Sequence, residues 1–281
     1  MRRTGVMLAR PFDAKRLAKW PKPYILQPKI NGRRARVIFG TLGNPMIMSS
    51  EGHIINSLPT LTASLKGLGL KEIILDGELY VHGWTKQEID RVVGRSVTIH
   101  KREAEMQYHV FDLINGFPQS QREEMLYHLH LDHVGNGVVP VPAAFANNLE
   151  EDMERWLIGG YEGIVIRHKD GLYQPCNEKA RSDYLMKLKP RIKAQVKIVS
   201  KLEEESIYKE PKDALGAFQC EWPGGQRFKV GTGFTRVQRE DFWNDSFKCR
   251  DYKAEILYQE LSERGVPIFP VFKRLVEKEV I

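Results

Sequence analysis

Residues Gln27–Val37 read QPKINGRRARV: a lysine, an Asn-Gly pair two residues later, then three arginines among alternating apolar positions. The alternation on either side, YILQPKI before and ARVIFG after, predicts two strands around a turn at Asn31-Gly32, with Pro28 confining the first to an edge or an irregular position. Lys29 is placed oddly for a surface charge, because so many cations follow it. An amine attacks only when neutral, and its ordinary pKa of about 10.4 keeps it protonated at neutral pH. Nearby positive charge lowers that value, so Lys29 reads as a candidate nucleophile. The bland alternative is a lysine flanking a hairpin.

Working outward, EIILDGELYV predicts two apolar runs about an Asp76-Gly77 turn, and QYHVFDLI and YEGIVIRH predict further strands. TKQEIDRVVG carries a capping-box pattern, Thr85 with Glu88, ahead of Ile89, Val92 and Val93 on one face. QREEMLYHLHLDHV and LEEDMERWLIGG read as helices. Between Arg181 and Lys201 basic residues dominate, and beyond them QVKIVSKLEE, ALGAFQCEW and QRFKVGTGF keep the short-strand rhythm of a small β-barrel. The expectation is a mixed domain, residues 1–189, followed by an all-β barrel, residues 190–281.

The chain has 281 residues, enough for two domains with real cores. A net charge of +7 favours an anionic partner, with nucleic acid the leading class. Cys176, Cys220 and Cys249 fit neither a disulfide framework nor a zinc pattern, and no leader or membrane-length apolar run is visible, so a cytoplasmic protein is expected. His128, His130 and His133 lack zinc-site spacing and are assigned no chemistry, nor are His82 and His109 in their apparent strands.

Other chemistry-bearing positions follow in order. Glu78 in DGELY is a carboxylate suited to a ribose hydroxyl or a hard cation. Phe111 in YHVFDL offers a ring face. Glu162 in EGIVIR sits where a carboxylate needs a partner. Lys187 and Lys189 in MKLKP are two apart and share a face if extended, where both can grip one phosphate.

Taken together, KINGRR, DGELY, the aromatic before Asp112, EGIVIR and KLK, with GAFQCEWPGGQRFKVGTGF and IFPVFKR behind them, resemble the covalent nucleotidyltransferases, and most closely the ATP-dependent DNA ligases. The resemblance implies an α+β adenylation domain of antiparallel sheets with flanking helices, then an OB-fold. It implies that Lys29 attacks the α-phosphate of ATP to give lysyl-AMP, that AMP passes to the 5′-phosphate of a nick, and that the 3′-hydroxyl then seals the strand. Phe111 would stack on adenine with Gln27 at its edge, and Arg34 and Glu78 would contact the ribose. Lys187 and Lys189 would hold the α-phosphate, while Glu162, with Glu78, would bind Mg²⁺. The partner would be nicked double-stranded DNA, gripped by a monomer of minimal, core-only type, with Ser206–Gly216 as a candidate DNA loop.

Three departures stand out. Asn31 replaces the usual aspartate, Ser50 replaces an arginine in SSEG, and the C-terminal motif survives only as Arg274 and Lys278 at imperfect spacing. The alternatives are an RNA ligase or mRNA guanylyltransferase using the same lysine, and a nick-binding protein without catalysis.

Overall fold

The computed structural model describes residues 3–95, 97–131, 137–146, 148–178, 180–206, 208–245, 252–258, 261–262 and 264–277. His133, Cys249 and Lys278 lie outside the described residues. The chain divides into two compact units, Met1–Lys189 and Pro190–Ile281.

The first unit is built on two five-stranded sheets. One has the order β5-β4-β6-β7-β8, from β4 (Arg33–Phe39), β5 (Pro45–Ser49), β6 (Ile74–Tyr80), β7 (Gln107–Leu113) and β8 (Val138–Pro140). The other has the order β2-β12-β10-β3-β9, from β2 (Arg10–Pro11), β3 (Ile25–Pro28), β9 (Ala144–Phe145), β10 (Ile164–Arg167) and β12 (Leu185–Leu188). A short pair joins β1 (Arg3–Thr4) to β11 (Asn177–Glu178). The helices are α1 (Ala14–Leu17), α2 (Pro59–Gly67), α3 (Lys86–Val93), α4 (Gln119–His128) and α5 (Leu149–Ile158).

Asn31-Gly32 is therefore not a hairpin turn. β3 and β4 belong to different sheets, and the pair carries the chain from one to the other. Local turn chemistry was read correctly as a change of direction, but a two-residue signal does not specify which strand pairs with which. Pro28 does lie where its missing N–H is harmless: β9 pairs only with Ile25 and Leu26. Asp76-Gly77 is likewise no turn but the middle of β6. A glycine is needed there because a Cβ would stand 2.5 Å from the His109 carbonyl oxygen and 2.7 Å from the Tyr108 ring.

Period-two alternation in β6 sorts its side chains. Leu75 and Leu79 enter the main core with Val37, Phe39, Leu61, Leu65, Ile89 and Tyr108. Asp76 and Glu78 face the other way, opposite Arg36 and Arg34 of β4. Helix α3 forms as its sequence predicts. Thr85 accepts from the Glu88 N–H at 3.2 Å, Glu88 accepts from the Thr85 N–H at 2.8 Å, and Ile89, Val92 and Val93 are buried. Helix α4 stops at His128, short of the predicted run, and His130 takes a left-handed φ of 45°. His82 lies past the end of β6, its Nδ1 3.1 Å from the Tyr80 hydroxyl.

An N-terminal strap crosses both sheets. The Thr4 N–H donates to the Ser50 carbonyl at 2.9 Å, the Ser182 N–H to that of Leu8 at 2.9 Å, and the Phe12 N–H to that of Lys187 at 2.9 Å. The Tyr173 hydroxyl accepts from the Met7 N–H at 2.9 Å. The sequence reading drew nothing from these residues.

The second unit is a five-stranded sheet of order β15-β14-β13-β16-β17, from β13 (Ile192–Glu205), β14 (Pro211–Glu221), β15 (Arg227–Val230), β16 (Tyr252–Tyr258) and β17 (Val271–Glu277). Two corrections apply. Among the described residues its two edges meet at a single parallel bridge, Thr232 to Val271, not along a closing ladder. It is also not all-β, because α6 (Arg236–Asn244), capped by Thr235 with Gln238, packs Phe242 and Trp243 on its core. Arg239 fastens this helix by donating to the Leu215, Gly216 and Gly231 carbonyls at 2.6, 3.0 and 2.7 Å. The expected loop Ser206–Gly216 is shorter than predicted, since strand β14 begins at Pro211.

Replacing Gly77 with alanine drives a Cβ into backbone and a buried ring, neither of which can yield cheaply. Gly77→Ala is expected to lower stability by about 2 kcal/mol or more, read as a fall in urea midpoint.

Candidate active site

The β3–β10 ladder continues past the strands and sets the centre of the site. The Lys29 N–H donates to the Gly163 carbonyl at 2.8 Å, and the Glu162 N–H donates to the Lys29 carbonyl at 3.0 Å. Gly163 has φ 149°, a region reserved for glycine, and a Cβ on it would strike the Leu188 carbonyl and approach Lys189 Cα to 3.1 Å. This close approach sets Lys189 beside Glu162. The Glu162 carboxylate is shared: one oxygen accepts from Lys29 Nζ and the other from Lys189 Nζ. The neighbour holding Lys29 is thus a carboxylate, where cations alone were expected.

Lys187, one face-repeat from Lys189, has no ion-pair partner among the described residues. Its pKa lies below the usual lysine range, through burial and then the charges of Lys29, Lys189 and Arg181. These groups open into a cavity of about 510 Å³ that Arg34 and Glu78 also line. Arg34 forms a bidentate pair with the fully buried Asp76 and donates to the Met7 carbonyl at 3.3 Å. Asp76 in turn accepts from the Tyr173 hydroxyl at 2.5 Å. Burial raises the Glu78 carboxyl to about 7, against the opposing pull of Arg34, Lys29 and Lys86.

The structure does not bring every expected residue into this cavity. Gln27 and Phe111 are not among its lining residues. Phe111 is the extra residue of a bulge on β7, since Asp76 pairs with Asp112 while Gly77 pairs with Val110. Its ring carries Arg34 at 4.5 Å and Arg167 at 5.6 Å. Gln27 is buried, donating to the Phe111 carbonyl at 3.0 Å and to Glu123 at 2.9 Å, and accepting from Arg167 at 2.7 Å. Behind it, Asp112 receives Arg122 at 2.7 Å and Arg167 at 2.6 Å, all three buried.

Several lining residues escaped the sequence reading. Arg3 comes from outside any motif, and Lys86 with Asp90 from one side of α3, paired at 2.6 Å, whereas Arg181 opens the basic run already noted in the sequence. Only the i,i+4 spacing of the last pair was a usable signal. Glu123, raised to about 7 by burial, was hidden in a helix read for its apolar face.

As for metal, no group of three or more His, Cys, Asp or Glu residues fit to hold an ion occurs among the described residues. Glu162 and Glu78 are nonetheless hard oxygen donors lining one cavity, which suits an ion that keeps waters and takes ligands from phosphate.

The ATP dependent DNA ligase domain family matches residues 6–189, and the DNA ligase OB-like domain matches residues 209–275. The chain belongs to the ATP-dependent DNA ligase family. It is 27% identical over 265 residues to an African swine fever virus DNA ligase, covering 87% of this chain and 61% of the relative. Over 282 residues it is 26% identical to the DNA ligase of Enterobacteria phage T4, covering 81% and 56%. It thus spans under two thirds of the length of these relatives. Among solved structures, a Lig E DNA ligase described as binding DNA with a minimal scaffold superposes with a TM-score of 0.75 at 24% identity, covering 97% of this chain and 99% of that one. The Chlorella virus DNA ligase-adenylate superposes with a TM-score of 0.53 at 26% identity, covering 99% of each chain. The fold is that of a ligase adenylation domain followed by an OB-like domain. No helix among the described residues is long and apolar enough to cross a membrane.

Folded Glu78 keeps its proton up to about 7, whereas the ordinary value is 4.5. The folded state therefore binds this proton more tightly, a contribution complete below the ordinary value and lost as pH rises through about 7. Glu78→Gln is expected to reduce the fall in urea midpoint between about pH 5 and pH 8. Glu123 has the same sign, so part of the fall persists.

Proposed function

We propose that this chain is an ATP-dependent DNA ligase that joins a 3′-hydroxyl to a 5′-phosphate at nicks in duplex DNA, carrying AMP on Lys29 between steps. In this reading residues 1–189 are the adenylation domain and residues 190–281 an OB-fold DNA-binding domain. The observation that carries it is one carboxylate, Glu162, shared by two lysines, with a third lysine that has no ion-pair partner among the described residues beside them in a single cavity.

Lys29 paired with Glu162 is an ammonium with no lone pair to offer, so as an anionic phosphate enters the pair parts and the amine gives up one proton to solvent. Lys29 Nζ then bonds to the α-phosphorus of ATP while the bond to the bridging oxygen breaks, and pyrophosphate leaves with that electron pair. Lys187 and Lys189 offset the charge gathering on the phosphoryl oxygens, a role worth several kcal/mol. Arg34, held by Asp76 and the Met7 carbonyl, and Glu78 meet the ribose, while the base would have to reach beyond the cavity lining to Phe111 and Gln27. Oxygen from the 5′-phosphate of a nick next displaces Lys29, and the 3′-hydroxyl finally displaces AMP. Glu162 and Glu78 would hold Mg²⁺, which supplies Lewis-acid polarisation of the phosphate.

Incubation with ATP and Mg²⁺ is expected to add one AMP to the wild type, seen in the intact mass, and none to Lys29→Ala. Lys187→Ala is expected to slow this loading by roughly 100-fold or more. Loading from GTP alone would point instead to an RNA-capping guanylyltransferase, and an unloaded wild type to a protein that binds nicks without sealing them.

A further inference from the structure

The amide of Gln27 is pinned from three sides. Its Nε2 donates to the Phe111 carbonyl at 3.0 Å and to Glu123 Oε1 at 2.9 Å, and its Oε1 accepts from Arg167 Nε at 2.7 Å. A guanidinium only donates and a carbonyl only accepts, so the amide has one orientation. Both of its N–H groups are consumed, while Oε1 keeps one lone pair. Glu123 Oε1 also accepts from Gln119 Nε2 at 2.8 Å, so it serves this arrangement whether or not its other oxygen carries a proton. The Phe111 carbonyl is at hand because the β7 bulge takes that residue out of the ladder.

Register places this amide in line with the phosphate-binding lysines. Lys187 of β12 pairs with Val165 of β10, and Val165 pairs with Gln27 of β3, so the three stand side by side across one sheet. Two strand spacings, about 9.6 Å, separate Lys187 from Gln27. A nucleoside monophosphate spans such a gap from its phosphate to the far edge of a purine. An edge that can only accept tells the purines apart. Adenine carries an amino group at its 6-position and guanine a carbonyl oxygen, so the first finds a partner and the second meets a lone pair. A free amide would turn to suit either base; a locked one cannot.

We infer that Glu123 is a positioning residue for base selection. With Arg167 and the Phe111 carbonyl it locks Gln27 as an acceptor, which takes the 6-amino group of adenine and rejects guanine. This rests on the ligase reading for a nucleotide whose α-phosphate meets Lys187. Glu123 belongs to none of the sequence motifs and lines a different cavity, of about 650 Å³, with Val110 and Leu126, so it acts through Gln27.

The test compares rates of covalent nucleotide loading onto the full chain from ATP, GTP and purine riboside 5′-triphosphate, which lacks the 6-amino group. The wild type is expected to favour ATP over GTP by about 1000-fold or more, and over the analogue by about tenfold or more. Glu123→Met keeps the length of the side chain but removes the acceptor, freeing the amide to turn, and is expected to lower the ATP-to-GTP ratio about tenfold. Glu123→Gln still offers Gln27 an oxygen and is expected to hold that ratio within about threefold. A merely structural Glu123 leaves the ratio unchanged, because lost folded protein slows both nucleotides alike. Gln27→Met is expected to load ATP and the analogue at rates within about twofold of each other. A ratio for Glu123→Met within about twofold of wild type overturns the inference. So does equal loading of the wild type from ATP and the analogue, an arm that decides even if no variant folds. Should the wild type load no nucleotide, the ligase reading fails, and equilibrium binding of AMP against GMP to wild type and Glu123→Met judges the lock by the same ratio.

Discussion

One fully buried carboxylate, Asp112, ties the first unit together. It sits on β7 in one sheet and receives Arg167 from β10 in the other, with Arg122 from α4 completing its shell. Desolvating three charges is costly, and removing one partner from such a set typically loses about 3–5 kcal/mol because the remainder is stranded without water. The arrangement therefore acts as a spacer of fixed length between two sheets. β10 leads directly from Glu162, while the opposing sheet carries Arg34 and Glu78, so the same spacer sets the width of the cavity they share.

The electrostatics of that cavity make sense as a state awaiting an anion. Eight lysines and arginines line it against four acids. Glu162 stands between Lys29 and Lys189 as a shared counter-charge, and Asp90 does the same for Lys86 and, at 3.5 Å, Arg33. Each such pair lowers the cost of keeping cations together. Lys187 has no such carboxylate partner among the described residues, and burial followed by the crowding of Lys29, Lys189 and Arg181 lowers its affinity for a proton.

Much of this was legible in the sequence where local chemistry decides the outcome. The α3 cap, the strand character of β3, β4, β7 and β10, and the spacing of Lys187 and Lys189 on one face all follow from residue type and period. What was not legible depends on partners far along the chain. Asn31-Gly32 and Asp76-Gly77 carry the same letters as hairpin turns, yet one joins two sheets and the other lies inside a strand because Tyr108 crosses against it. Phe111 was singled out, but its status as a bulge residue depends on the register of β6 against β7. The carboxylate partner of Lys29 lies 133 residues away, and only the folded ladder brings it close.

The N-terminal strap has a consequence for how such sites change over time. Its grip is made largely by backbone: the carbonyls of Gly5, Met7 and Ala9 receive Arg36, Arg34 and Arg181. A peptide oxygen is the same whichever residue bears it, so side chains here can drift without disturbing the guanidiniums they serve. Gly5 is the exception, because Arg36 fills the space a Cβ would take. A wall of the cavity can thus be inherited as shape alone, leaving almost no trace in the letters that encode it.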